Sequence, residues 1–111
     1  MNEYNILDEI EWHDGEFLDS RLSCKDGSIN LMVSVSVYKD NKRNELNVEF
    51  INVENLTMTM DAIELNDNRK AGNISNGYVK KVSNKSKYKF FLYFTDGYLN
   101  LTFKNIRVVY K

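Results

Sequence analysis

Hydrophobic side chains recur at every second position along most of this chain, while the three-to-four spacing of an amphipathic helix is almost absent. Ser28 to Tyr38 is the clearest case: Ile29, Leu31, Val33, Val35 and Val37 share one face, and Ser28, Asn30, Ser34 and Ser36 share the other. A period of two buries one face and leaves the other to water, which is the pattern of a half-buried antiparallel strand. Arg43 to Val53 repeats it, with Leu46, Val48 and Phe50 inward and Glu45, Asn47 and Glu49 outward. The phase then slips at Ile51 and Val53, for which a bulge near Phe50 to Asn52 is the expected cause. Glu16 to Ser23 is a weaker strand carrying Leu18 and Leu22. The Asp26-Gly27 pair that follows accepts the positive φ angles of a tight hairpin turn, so this strand should pair antiparallel with Ser28 to Tyr38.

The second half continues with Ile74 to Val82, interrupted at Asn76-Gly77, then Lys87 to Thr95, a turn at Asp96-Gly97, and Tyr98 to Tyr110. In the last segment Leu99, Leu101 and Phe103 share a face, but Ile106, Val108 and Tyr110 have the opposite parity. Lys104-Asn105 is therefore read as a bulge, or as the bend of a strand turning a sandwich corner. Helical character is confined to residues 4–11, with Tyr4, Ile6, Leu7 and Ile10, and to residues 61–68. In the second, Asp61 can cap and Glu64 falls at the third helical position, although the segment could instead extend a strand over Leu56 to Met60. These signals predict a mainly all-β chain: an antiparallel β-sandwich or flattened barrel of about seven strands with one or two short helical segments. The 111 residues make one domain, 1–111, which at this size buries roughly two-thirds of its unfolded surface without disulfides or a structural metal.

Composition removes several function classes. A lone cysteine, Cys24, and a lone histidine, His13, exclude disulfide scaffolds and zinc fingers, and Cys24 is expected to be a small buried or half-buried thiol. Calcium takes oxygen ligands alone, but Asn66-Asp67-Asn68 and Asp26-Gly27 lack the spacing of a calcium loop, and the five glycines are scattered singly rather than gathered into a phosphate-binding loop. No metal and no cofactor are expected. Neither a signal peptide nor a membrane-spanning apolar run is visible, which makes the cytoplasm the expected location and a membrane partner unexpected.

His13 sits between Trp12 and Asp14, and an adjacent carboxylate could orient it as a base. Ser20, Ser23 and Cys24 are near in sequence, but no nucleophile-elbow motif accompanies them. The competing reading is structural: Trp12 plugs one end of the core, while His13 and Asp14 hydrogen-bond the turn that enters the first strand through Gly15. No catalytic residue is assigned, and the chain is read as a non-enzyme.

Charge is distributed unevenly. Residues 1–67 hold 15 acidic and 5 basic side chains, whereas residues 68–111 hold 1 acidic and 10 basic ones. Two opposed patches would follow if the halves fold apart, and mutual cancellation if their strands interleave. In the basic half Lys80, Lys81, Lys85, Lys87 and Lys89 lie among Tyr78, Tyr88, Phe90, Phe91 and Tyr93, a mixture that suits a stacking platform for single-stranded nucleic acid. Alternation weakens that reading, because Tyr88, Phe90, Leu92 and Phe94 fall on the core face and only Phe91 and Tyr93 accompany the lysines.

The order of features is itself informative. Trp12-His13-Asp14 leads into a strand. Phe50-x-x-Val53-x-x-Leu56 and Gly72-Asn73-Ile74 follow, and then Asp96-Gly97-x-Leu99-x-Leu101-x-Phe103-x-x-Ile106-x-Val108. Across roughly residues 12 to 109 this order resembles a family of small bacterial proteins assigned as immunity proteins of polymorphic toxin systems. The resemblance implies stoichiometric protection, in which the domain binds a cognate protein toxin and occludes it. An acidic N-terminal half would suit a basic toxin, with Glu9, Glu11, Asp14, Glu16 and Asp19 as an acidic lobe and Tyr38, Phe91 and Tyr93 as anchors off the core. The alternatives are a nucleic-acid-binding module using the Lys80 to Tyr93 face, or a structural domain that buries Phe91 and Tyr93 in an interface with its own kind.

Overall fold

The structure, a computed structural model, describes residues 6–67, 73–82 and 86–110. Tyr4, Asn68, Gly72 and Lys85 lie outside the described residues. In chain order the elements are α1 (Ile6–Glu9), β1 (Glu11–Lys25), β2 (Ser28–Lys39), β3 (Lys42–Ile51), β4 (Leu56–Thr59), α2 (Ala62–Asp67), β5 (Ile74–Lys81), β6 (Tyr88–Phe94), β7 (Gly97–Phe103) and β8 (Asn105–Tyr110). The eight strands form two four-stranded antiparallel sheets, one in the order β1-β2-β3-β8 and the other β4-β7-β6-β5. The architecture is thus an all-β sandwich with two short helices, and the sheets do not close into a barrel.

Local chemistry explains the turns. Asp26 and Gly27 take φ angles of 52° and 78°, and Asp40 and Asn41 take 53° and 64°. Each pair supplies the two left-handed residues that a tight hairpin needs, Asp and Asn being the non-glycine residues that tolerate this region best. Asp61 caps α2, its Oδ1 accepting from the backbone N–H groups of Ile63 and Glu64 at 3.1 Å each, so the segment turns helical instead of prolonging β4. The phase slip after Phe50 has the character of the expected bulge: Asn52 adopts φ 58° and its N–H donates to Asn30 Oδ1 at 3.1 Å, while Val53 N–H donates to Ile29 O at 2.8 Å, so Asn52 and Val53 stand against Ile29 as regular pairing of β3 ends. Tyr98 to Tyr110 divides at Lys104, whose N–H donates to Ile51 O at 3.1 Å as the chain crosses from one sheet to the other. This corner makes eight strands out of the expected seven.

Two placements in β1 depart from expectation. A register shift between Phe17 and Asp19 sends Phe17 inward, its ring 5.0 Å from that of Phe94, and leaves Leu18 half-buried in the bulge. Cys24 is exposed rather than buried. It lies near the tip of the β1–β2 hairpin opposite Ile29 (42% exposed), on the edge strand that also leaves Leu22 57% exposed.

Between the sheets the core is built on Phe50, whose ring lies 5.1 Å from those of both Phe90 and Phe103, surrounded by Val33, Val35, Leu46, Leu92, Leu99 and Leu101. Trp12 enters beside it. Its indole lies 5.3 Å from Phe90 and its Nε1–H donates to Leu7 O at 2.8 Å, which satisfies the one polar atom carried inward. Gly77 of β5 makes room for the indole: a Cβ there would stand 2.7 Å from Trp12 Cγ. Gly77→Ala should therefore destabilise the domain by about 1–3 kcal/mol through overpacking. Urea unfolding followed by the fluorescence of the single tryptophan measures this; unchanged stability would mean that β5 yields without cost.

Candidate functional site

The Trp12-His13-Asp14-Gly15 segment is an excursion of β1. Glu11 pairs with Tyr38 and Glu16 with Ser36, so four residues on β1 stand against Val37 alone on β2. The excess chain directs Trp12 inward and His13 outward. Asp14 takes the left-handed conformation with φ 64°, and Gly15 passes so close beneath that a Cβ would lie 2.9 Å from Trp12 O. His13 Nδ1 is 3.1 Å from Ser75 O, a geometry in which the ring N–H donates to the β5 carbonyl. Asp14 O accepts from Arg43 Nη2 at 3.2 Å. Both residues therefore reach across to other strands rather than bonding the local turn. His13 Nε2 stands 3.6 Å from Asp14 Oδ2, with both side chains largely exposed. From Glu16 onward β1 runs extended, carrying Ser20, Ser23 and Cys24 away from His13 at about 3.3 Å per residue. Among the described residues, no three His, Cys, Asp or Glu side chains group as metal ligands would, and no helix is long and apolar enough to cross a membrane.

Outside the Trp12 excursion, β1, β2 and β3 present a concave outer face of about 500 Å³, lined by Leu18, Asp19, Arg21, Ser23, Asn30, Met32, Ser34, Glu45, Asn47 and Glu49. Register sets the rows across it. Glu16, Ser36 and Glu45 form one, Asp19, Ser34 and Asn47 the next, and Arg21, Met32, Glu49 and Arg107 the third. Ser34 Oγ donates to Asn47 Oδ1 at 2.6 Å, Arg21 Nε meets Asp19 Oδ2 at 3.3 Å, and Arg107 Nη2 meets Glu49 Oε1 at 2.9 Å. At the near end the Arg43 guanidinium lies 4.8 Å above the Tyr38 ring. Glu11, Asp14, Glu16, Asp19 and Tyr38 thus fall along one side of the sandwich, with Glu9 just upstream at the end of α1. Glu45, Glu49 and Arg43 join this face although sequence reasoning did not select them. Their outward parity was visible, but their place beside Glu16 and Asp19 depends on the β2–β3 register.

Phe91 and Tyr93 are elsewhere, on the outer face of the second sheet, and so do not flank the acidic lobe. There Tyr78 stacks on Phe91 with ring centroids 4.8 Å apart and planes at 22°, and it lies 6.1 Å from Tyr93 at 30°. Lys80 Nζ is 5.7 Å from the Tyr78 centroid and Lys89 Nζ 5.9 Å from that of Phe91. Tyr88 and Phe90 belong to the core, and Lys87 pairs with Glu54 at 2.9 Å. The halves of the chain therefore do not interleave strand by strand. Only β4 and β8 sit in the sheet of the other half, and Arg107–Glu49 and Lys87–Glu54 are ion pairs that join the two.

The Tyr78 and Tyr93 hydroxyls are 3.4 Å apart. This hydrogen bond, helped by partial desolvation and opposed by Lys80, holds the Tyr93 phenol above its ordinary pKa. A raised pKa favours the neutral form, so any stability from the bond is complete below the unfolded tyrosine value of about 10 and is lost as pH rises through the folded one. Tyr78→Phe should return Tyr93 towards the ordinary range, as read by NMR titration of ring-labelled tyrosine; an unmoved Tyr93 would assign the shift to its other neighbours. No protein-family model matches this chain, and neither a curated protein nor a solved structure does.

Proposed function

We propose that this domain is a non-catalytic binding protein that occludes a basic protein partner, as the resemblance to immunity proteins implies. The observation that carries the reading is the concavity across β1, β2 and β3, lined on rigid strands by Asp19, Glu45 and Glu49, with Arg21 beside Asp19 and Arg107 beside Glu49. Tyr38 beneath the Arg43 guanidinium adds an aromatic and arginine pair, the residue types that dominate binding energy at protein interfaces. A complementary field also speeds encounter, which matters for a protein that must reach a toxin before the toxin acts. A protein of this role would come from a bacterium and act in its cytoplasm, where the toxin is made.

The test is affinity capture from the source cell, with retained proteins and nucleic acid both identified, followed by kinetics on the retained protein. Wild-type domain should hold one basic protein near equal stoichiometry and suppress its toxicity on co-expression. Asp19→Lys/Glu45→Lys should slow association at least about tenfold at low salt, an effect that shrinks as salt is raised. Association unaffected by this double reversal would remove the acidic face from the proposal.

A further inference from the structure

We propose that the outer face of β5 and β6 is a second docking surface, which takes an extended protein segment alternating carboxylates with apolar side chains. It lies on the sheet opposite the acidic concavity and does not depend on that reading. Tyr78, Phe91, Tyr93 and Tyr98 occupy neighbouring outward positions, since Tyr78 pairs with Phe91 and Tyr93 with both Asn76 and Tyr98. Outward strand positions are ordinarily polar, and four adjacent rings there offer the apolar area and rigidity that interfaces use.

How the rings are arranged selects the partner. Tyr78 is stacked between Phe91 and Tyr93, and the ammonium groups of Lys80 and Lys89 stand over Tyr78 and Phe91. The faces of Tyr78 and Phe91 are therefore engaged, and the Tyr78 and Tyr93 hydroxyls share one hydrogen bond, which leaves one of those two O–H groups, the ring edges and the lysines for a ligand. Edges carry the positive part of the aromatic quadrupole, phenols donate hydrogen bonds, and both lysines are cationic. Among the described residues, no carboxylate occupies an outward position on β5, β6 or β7, so no anionic side chain on these strands answers Lys80 and Lys89. Acceptor-rich anionic groups spaced between apolar side chains complete this face. Nucleobases need free ring faces to stack upon, which Tyr78 and Phe91 at the centre of the row do not offer, and a symmetric second copy would set Lys80 and Lys89 against themselves.

The experiment is an NMR titration of the full chain with a short synthetic peptide alternating glutamate and leucine. The same peptide with lysine for glutamate and an oligothymidine serve as comparisons. Saturable binding of the glutamate peptide is expected, with shifts confined to Tyr78, Lys80, Lys89, Phe91, Tyr93 and Tyr98. Affinity should fall at least about tenfold in Lys80→Glu/Lys89→Glu and by a smaller factor in Lys80→Gln/Lys89→Gln, whose spectra also report that the fold is intact. Asp19→Lys/Glu45→Lys should bind this peptide as the wild type does, which separates the two surfaces. The proposal is overturned by absent saturation, by shifts on β1 to β3, or by undiminished binding in both lysine variants. Tighter binding of oligothymidine on the same residues, or concentration-dependent self-association through them, also overturns it.

Discussion

The seating of Trp12 is the contact on which the arrangement of this sandwich depends. One indole touches Phe90 of β6, lies against Gly77 of β5, and bonds the Leu7 carbonyl at the end of the chain segment that precedes β1. It can do so because the excursion between Glu11 and Glu16 lifts β1 out of register, and that excursion needs the left-handed Asp14 and the bare backbone of Gly15. His13 donates to Ser75 from the same segment, and Asp8 Oδ1 accepts the Val79 N–H at 3.2 Å, so β1 and α1 are tied to β5 along one edge. Burying a side chain of this size and satisfying its N–H together fix how one sheet lies over the other.

With that edge closed, the two outer faces point in opposite directions and carry different chemistry. One is a concavity in which Asp19, Glu45 and Glu49 alternate with Ser34 and Asn47. The other is a raised row of Phe91, Tyr78 and Tyr93 flanked by lysines. Charges at the margins are spent within the fold, since Arg107 neutralises Glu49 and Lys87 neutralises Glu54. What the chain presents outward is therefore narrower than the charge difference between its halves, and it is set by which strands the topology keeps apart.

The fold class was legible because a period of two records which face of a strand meets a core, and Leu31, Val33, Val35, Val37, Leu46, Val48 and Phe50 all do. The turn at Asp26-Gly27 and the corner at Lys104 could be read for the same reason: both are local breaks in backbone geometry or parity. Alternation does not state what lies across from a strand. Leu22 faces the same way as its partner Leu31, yet on the edge strand β1 it is 57% exposed while Leu31, one strand further in, is 3% exposed; nearer the hairpin tip Cys24 and Ile29 are both exposed. The slip at Asn52 was legible from parity, since one extra left-handed residue puts both Phe50 and Val53 inward. The candidate surfaces suffered most, since grouping Phe91 with Tyr38 or Glu45 with Glu16 requires strand order and register, which are non-local.

β8 joins its sheet from far along the chain, pairing Ile106 with Phe50 after the segment between them has passed through the other sheet. The β1–β3 meander is held by short hairpins and can form early, but its fourth strand and the cover for its inner face both come later in the chain. Val33, Val35, Leu46, Val48 and Phe50 gain their opposing layer only from β5 to β7, so closing the sandwich requires ordering a long stretch of chain before its contacts reward it. The pairing of β8 with β3 spans the whole opposing layer in sequence, so this fold rests on non-local contacts of the kind that slow folding.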